Sequence, residues 1–314
     1  MSLATPTATP DVSVLVPAKD EAENLPELIK LAREAFLPQS YAAELVIVND
    51  GSTDASAEVL RKLAEQHPFV RVVTHRFQRG IADALRSGAD AARGHVLVFW
   101  PADLQYLPAD IPPLVAPILA GDADVVTGAK QGQYEKRFVS GVYNTLCRWL
   151  FGVRVTDLNS VKAYRREVMD ALPTRPDWHR FMVVLAAAQG YRLAERKVPL
   201  HPRRAGKSKF GLGRIPVGVL DLLSVWFQLR FGRKPMLFFG FSGAVLTLLG
   251  VVVGIYAVIE RYVFHIGFRP WLYLVILLIL SGLVLFGFGF VGELVAGMRE
   301  EMRSLGRELG RSKD

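Results

Sequence analysis

At 314 residues the chain has room for one domain of about 200 residues and an appendage. A net charge of +8 points to an anionic partner: nucleic acid, a membrane surface or a small anionic substrate. No zinc-ligand set or RNA-binding aromatic signature accompanies the charge, which sets nucleic acid aside. The single cysteine, Cys147, excludes an internal disulfide framework and a cysteine-rich metal site. The mean hydropathy of +0.24 is high for a soluble enzyme, and most of the surplus lies after Pro235.

Residues 1–10 are polar, with neither a basic start nor an apolar stretch, and predict a disordered leader without a secretory signal. Val12 to Val16 is a short apolar run followed by Pro-Ala-Lys-Asp-Glu. Asn24 to Phe36 has helical spacing, with Leu25, Leu28, Ile29, Ala32 and Phe36 on one face. Leu45 to Val48 predicts a second strand, ending in Asn49-Asp50-Gly51-Ser52, and Ala55 to Leu63 a helix. Val70 to Thr74 predicts a third strand and Gly80 to Ala92 an Ala-rich helix. Val96 to Trp100 predicts a fourth strand, ending in Pro-Ala-Asp-Leu-Gln; Ile111 to Leu119 is a helix and Asp124 to Thr127 a fifth strand. Strands alternating with helices predict an α/β domain with a mainly parallel central sheet, whose ligands bind at the carboxyl ends of the strands. The polar clusters at 17–21, 50–52 and 103–105 all follow strands and are expected on one edge.

Residues 235–259 and 270–292 carry no charge, and at 25 and 23 residues each is long enough to cross a bilayer. Basic residues flank the pair: Arg230, Arg233 and Lys234 before it, and Arg299, Arg303, Arg307, Arg311 and Lys313 after it. The loop between has only Arg261 and Arg269, so both termini and the domain before Pro235 are expected in the cytoplasm of an integral protein of the cell inner membrane. The resulting division is a leader at 1–10, a catalytic domain at 11–210, an amphipathic interfacial helix at 211–233, two transmembrane helices within 234–298, and a basic tail at 299–314. Ile215 to Phe231 and Val142 to Phe151 have the basic, aromatic character of helices lying in a headgroup plane, which ordinary core helices can share. The spans also offer a surface for homo-oligomer formation.

Three clusters carry chemistry. Asp50, Gly51 and Ser52 suit a nucleotide pocket, since glycine admits close backbone approach; Asp-Gly-Ser is also an ordinary turn and helix cap. Asp103 and Gln105 are two apart, so in extended chain they point to one side and suit Mg²⁺ or Mn²⁺ completed by phosphate oxygens; a polar turn before a helix is the alternative. Arg203, Arg204, Lys207 and Lys209 form a basic, glycine-containing loop that can wrap a diphosphate, or simply be attracted to anionic lipid.

Together these segments resemble a known family. Val14-Leu-Val-Pro-Ala-Lys-Asp-Glu, Val46-Ile-Val-Asn-Asp-Gly-Ser-Thr-Asp, Ala102-Asp-Leu-Gln, Asp157-Leu-Asn-Ser and Arg203-Arg-Ala-Gly-Lys-Ser-Lys-Phe-Gly occur in order. They are similar to family 2 glycosyltransferases of GT-A fold, in the polyprenyl-phosphate branch that includes dolichol-phosphate mannose synthase and bacterial undecaprenyl-phosphate sugar transferases. The resemblance covers about residues 11–230, and the two-span tail matches a common variant.

It implies transfer of a sugar from a UDP- or GDP-linked donor to a polyprenyl phosphate, with inversion at the anomeric carbon. Pro17, Ala18, Glu21, Asp50, Gly51, Ser52, Ala102 and Asp103 would line the nucleotide pocket, and Asp103 and Gln105 would hold the metal. Lys130 stands where the family often has arginine, and would face the acceptor phosphate with Lys136, Arg137 and Ser140. Asp157 would sit near the reacting centre, and Arg203, Lys207, Ser208 and Lys209 would close over the diphosphate. Asp103, Asp157, Arg203 and Lys209 are thus the expected catalytic set. One departure is Pro101, where many members carry an additional aspartate; it puts the metal affinity in question and leaves a catalytically dead membrane scaffold as the rival. A processive polysaccharide synthase would typically show a Gln-x-x-Arg-Trp motif and more spans, and the sequence has neither.

Overall fold

The computed structural model describes residues 9–132, 137–153, 155–158, 160–172, 178–202, 215–265 and 269–311. The chain divides into two units, Met1–Asp221 and Leu222–Asp314.

In the first unit seven strands form one sheet: β1 (Val12–Ala18), β2 (Ala43–Asp50), β3 (Val70–His75), β4 (Val96–Phe99), β5 (Val125–Gln131), β6 (Lys162–Arg165) and β7 (Leu193–Pro199), in the order β3-β2-β1-β4-β6-β5-β7. The helices are α1 (Leu25–Phe36), α2 (Ser56–Gln66), α3 (Ile81–Ala91), α4 (Ile111–Leu119), α5 (Arg137–Phe151), α6 (Arg166–Ala171), α7 (Met182–Ala188) and the start of α8 (Ile215–Phe231). β1 and β2 are buried nearly throughout, as continuous apolar runs must be in a sheet covered on both faces. α1 buries Leu25, Leu28, Ile29, Ala32 and Phe36, the face its sequence spacing predicts. Four of the six pairings are parallel; β6 runs antiparallel to both neighbours. Because of that reversal the start of β6 lies at the same edge as the ends of β4 and β5: Lys162 pairs with Phe99 and with Thr127.

Two buried polar networks tie the frame together. Glu44, 2% exposed, accepts hydrogen bonds from Ser13 Oγ at 2.7 Å and the Arg93 amide at 2.6 Å. Arg166 donates to the carbonyls of Ala89, Ala92 and Gly94 at 2.8 to 3.2 Å, satisfying groups left open at the end of α3.

The second unit holds the rest of α8, then α9 (Pro235–Tyr262) and α10 (Arg269–Arg311). Both are apolar and long enough to cross a membrane. They pack through small residues. A Cβ on Gly243 would lie 2.5 Å from the Gly282 carbonyl, and one on Gly289 would lie 2.8 Å from the Gly240 amide. Such close backbone approach is how apolar helices associate in lipid, where no hydrophobic force separates them from the solvent. At the start of α9 the Met236 amide donates to Glu293 Oε2 at 3.3 Å, which supplies a negative charge to the helix N-terminus. α10 differs from the expected 23-residue span followed by a tail: it is one helix of 43 residues. At about 1.5 Å per residue it is roughly 65 Å long, about twice the hydrocarbon thickness.

Candidate active site

The strand ends β1, β2, β4, β5 and β7 and the start of β6 share one edge of the sheet, so the three polar clusters converge there as their positions after strands predict. The loops after β1 and β2 are joined. Lys19 Nζ donates to the Gly51 carbonyl at 2.7 Å, and the Asp20 amide donates to Ser52 Oγ at 3.0 Å. The Thr53 amide donates to Asp20 Oδ1 at 2.7 Å, and the Glu21 amide to Ser56 Oγ at 3.0 Å. Ala18 is buried, Pro17 half-buried, and the Glu21 carboxylate accepts from Asn24 Nδ2 at 2.7 Å.

Asp50 is 5% exposed, and its carboxylate faces inward. Oδ1 accepts from the Arg79 amide at 2.8 Å and meets His75 Nδ1 at 2.8 Å; Oδ2 accepts from the Gly80 amide at 2.8 Å. A carboxylate only accepts, so Nδ1 carries the proton of that bond, and His75 Nε2 pairs with Ser87 Oγ at 2.9 Å. Asp50 therefore anchors the 76–80 segment. Gly51, with φ of +63°, makes room for it: a Cβ there would stand 2.5 Å from the backbone of Phe77 and Gln78.

Beyond β4 the chain alternates between core and surface. Ala102, Leu104 and Tyr106 are buried, while Asp103 and Gln105 are half-buried, in a bend rather than the extended chain for which their i, i+2 spacing would put them on one side. Leu104 holds a φ of +56°, and Asp20 one of +53°. A bulky leucine seldom adopts this conformation, whereas aspartate adopts it more readily, so the backbone strain lies at Leu104. The Gln105 amide donates to Asp103 Oδ1 at 3.3 Å. The His201 amide, just past β7, donates to the Gln105 carbonyl at 2.8 Å. Burial pushes the nearby Asp110 carboxyl above its usual range, and His201 pulls it partly back.

Lys130, at the end of β5, meets Asp157 at 3.6 Å; their side chains are 14% and 7% exposed. Asp157 is fixed through its backbone: its carbonyl accepts from Thr127 Oγ1 at 2.9 Å, and its amide donates to Glu195 Oε1 at 3.2 Å. Burial lowers the Lys130 pKa, against which Asp157 raises it. Tyr106 Oη and Ser160 Oγ lie 3.1 Å apart, so the Asp103–Gln105 loop and the Asp157 segment are directly joined.

Two residues of this edge carry little signal in the sequence. His201 carries no motif of its own. Lys162 is a charged residue inside the short apolar run Val161 to Tyr164, and that placement is its one signal. Lys136, Arg203, Lys207, Ser208 and Lys209 lie outside the described residues, as do the side chains of Arg137 and Ser140.

The fold is similar to that of glucosyl-3-phosphoglycerate synthase from Mycobacterium tuberculosis, solved with Mn²⁺, uridine diphosphate and glucosyl-3-phosphoglycerate. The TM-score is 0.54 at 19% identity, covering 70% of this chain and 80% of that one. The first unit thus has the GT-A type of α/β fold. Residues 13–169 match the family model described as glycosyl transferase family 2. Over 93% of its length the chain is 30% identical to the dodecaprenyl-phosphate galacturonate synthase of Rhizobium johnstonii, covering 89% of that protein. It is 29% identical to the undecaprenyl-phosphate 4-deoxy-4-formamido-L-arabinose transferase of Pseudomonas savastanoi pv. phaseolicola, again over 93% of this chain and 88% of that one. The chain belongs to glycosyl transferase family 2, in the branch of the polyprenyl-phosphate sugar transferases.

Proposed function

We propose that the protein transfers a sugar from a UDP- or GDP-linked donor to a polyprenyl phosphate at the cytoplasmic face of the membrane, inverting the anomeric centre. The observation that carries this reading is one edge where the loop of Asp103 and Gln105 is bonded, through Tyr106 and Ser160, to the segment of the Lys130–Asp157 pair, in a chain that continues into two membrane-length helices. The names of the relatives support the acceptor class.

Among the described residues no three His, Cys, Asp or Glu form a metal cluster. The pair that is present still fits a hard cation: one carboxylate and one amide two residues apart in a half-buried bend, both oxygen donors, with room in the ligand count for phosphate oxygens. Asp103 and Gln105 would hold Mg²⁺ or Mn²⁺, whose chemistry is to neutralise the leaving diphosphate. Pro101 removes a further carboxylate from this set without touching those two.

The remaining work falls to the chain. Pro17, Ala18, Glu21, Asp50, Gly51, Ser52 and Ala102 form or brace the nucleotide pocket through the joined loops. Lys130, with Lys136, Arg137 and Ser140, receives the acceptor phosphate. That phosphate has a second pKa of about 6, so its attacking oxygen is already anionic at pH 7. It needs a cation to hold it more than a base to deprotonate it. Asp157 accordingly orients Lys130. Arg203, Lys207, Ser208 and Lys209 close over the diphosphate and stabilise charge as it develops there.

Both termini face the cytoplasm, residues 11–210 form the catalytic domain, and residues 211–233 lie at the interface. Membranes containing the protein, supplied with a panel of UDP- and GDP-sugars, are expected to pass one labelled sugar into lipid extract. Transfer from none of them would overturn the proposal.

A further inference from the structure

Glu195 lies on β7 and belongs to none of the ordered sequence motifs. Its Oε1 accepts three hydrogen bonds from the segment between α5 and β6: from the Thr156 amide at 2.8 Å, the Thr156 hydroxyl at 2.7 Å and the Asp157 amide at 3.2 Å. The register partner of Glu195 on β5 is Thr127, so the two side chains leave the sheet on the same face. Thr127 is buried, and its hydroxyl donates to the Asp157 carbonyl at 2.9 Å. One cross-strand pair therefore binds the backbone of Asp157 at both its amide and its carbonyl. Bonds to an ionised carboxylate are about twice as strong as those between neutral groups. What they place is the Asp157 carboxylate, 7% exposed, whose Oδ2 stands 3.6 Å from Lys130 Nζ. Lys130 is itself on β5, three residues beyond Thr127, so one strand carries both the ammonium and a group that holds its partner. β7 then runs on to His201, whose amide donates to the Gln105 carbonyl at 2.8 Å.

Resting on the reading that Lys130 receives the acceptor phosphate, we propose that Glu195 and Thr127 are positioning residues for the acceptor. They fix the Asp157 carboxylate and, through it, the direction of the Lys130 ammonium. Both act through Asp157 and not on the substrate. Without Glu195 the Thr156–Asp157 backbone gains freedom, and the carboxylate no longer meets Lys130 in one geometry. The acceptor oxygen is then held in line with the sugar for less of the time. A misplacement of about 1 Å at a reacting group can cost on the order of 100-fold in rate, so a lost backbone bond is felt in transfer well before it is felt in folding.

The test is a double-mutant cycle on the full chain in neutral detergent micelles, with undecaprenyl phosphate as acceptor. Glu195→Ala is expected to lower kcat/KM for the acceptor by about tenfold or more and to leave the donor KM as in the wild type. Glu195→Gln keeps an oxygen acceptor and is expected to recover most of that loss. On a Lys130→Ala background, Glu195→Ala is expected to cost no more than about twofold further, because no ammonium remains to be aimed. Thermal melting establishes that each variant is folded. Equal losses on the two backgrounds would overturn the proposal. A folded Glu195→Ala with wild-type kcat/KM, or a Glu195→Gln as impaired as Glu195→Ala, overturns it whatever the cycle gives. If Glu195→Ala does not fold, Thr127→Val, which lacks only the hydroxyl, takes its place, and an unchanged acceptor kcat/KM overturns the proposal instead. Absence of wild-type transfer to undecaprenyl phosphate refutes the acceptor reading, whereas wild-type transfer with additive losses refutes only the positioning role.

Discussion

Asp50→Asn separates two roles for the residue at the centre of the Asn49-Asp50-Gly51-Ser52 motif. In the structure its two oxygens receive the Arg79 amide, the Gly80 amide and His75 Nδ1, all at 2.8 Å. An asparagine keeps one oxygen and puts an NH₂ in place of the other. If the NH₂ replaces Oδ2 it opposes the Gly80 amide; if it replaces Oδ1 it opposes the Arg79 amide, while His75 can shift to the tautomer whose Nδ1 accepts. Either way at least one part-buried N–H faces another N–H. Losing a hydrogen bond to a charged group and stranding its donor costs about 2–4 kcal/mol. For a unit of this size that corresponds to roughly 5–10 °C in melting temperature. Thermal unfolding of the full chain in detergent, followed beside the donor KM, is the assay. The anchor role predicts a lower melting temperature, with the donor KM rising as the 76–80 segment loosens. An unchanged melting temperature with a raised donor KM would rule out the anchor role, because the carboxylate would then be acting on nucleotide and not on the loop.

Asp103→Ala is expected to abolish transfer, and Gln105→Ala to weaken it less, since a neutral amide is the poorer ligand; full activity in EDTA would contradict the metal assignment. Arg203→Ala and Lys209→Ala are each expected to lower turnover about 100-fold in neutral detergent, the scale of a lost charge stabiliser at a leaving group. Near-normal turnover would leave attraction to anionic lipid as that loop's role. For topology, His265→Cys on a Cys147→Ser background is expected to react with an impermeant thiol reagent from outside the inner membrane; labelling only after permeabilisation would reverse the assigned orientation.

The parts of the fold that sequence makes legible are those in which burial writes a period. The apolar face of α1 and the limits of α4 and α8 follow from spacing, and β1 to β4 from short apolar runs between turns. β6 and β7 have no such signal. β6 is four residues long and begins and ends on a cation, while β7 carries Glu195, Arg196 and Lys197 along an edge where charge discourages further pairing. The convergence of Asp103 and Gln105 with the β1 and β2 loops is foreseeable, because each follows a strand of a parallel sheet. The inward turn of Asp50 is not, since a turn motif does not say which neighbour its carboxylate meets. The burial of Lys162 escapes for the same reason: it depends on the antiparallel insertion of β6, a long-range pairing. The length of α10 eludes hydropathy because hydropathy reports where apolar residues stop, whereas Arg299 to Arg311 are largely good helix formers that carry the helix onward.

Recognition of a lipid-borne phosphate by the Lys130–Asp157 pair is what sets this protein's acceptor. The most direct test supplies the purified protein with its donor and three acceptors: a polyprenyl phosphate, the matching polyprenol without phosphate, and a soluble phosphate monoester. Transfer to the polyprenyl phosphate alone, with its KM raised at least tenfold by Lys130→Ala (about 1.4 kcal/mol), is the predicted result. Equal transfer to the polyprenol or to the soluble phosphate, or a Lys130→Ala variant with unchanged KM, would contradict it.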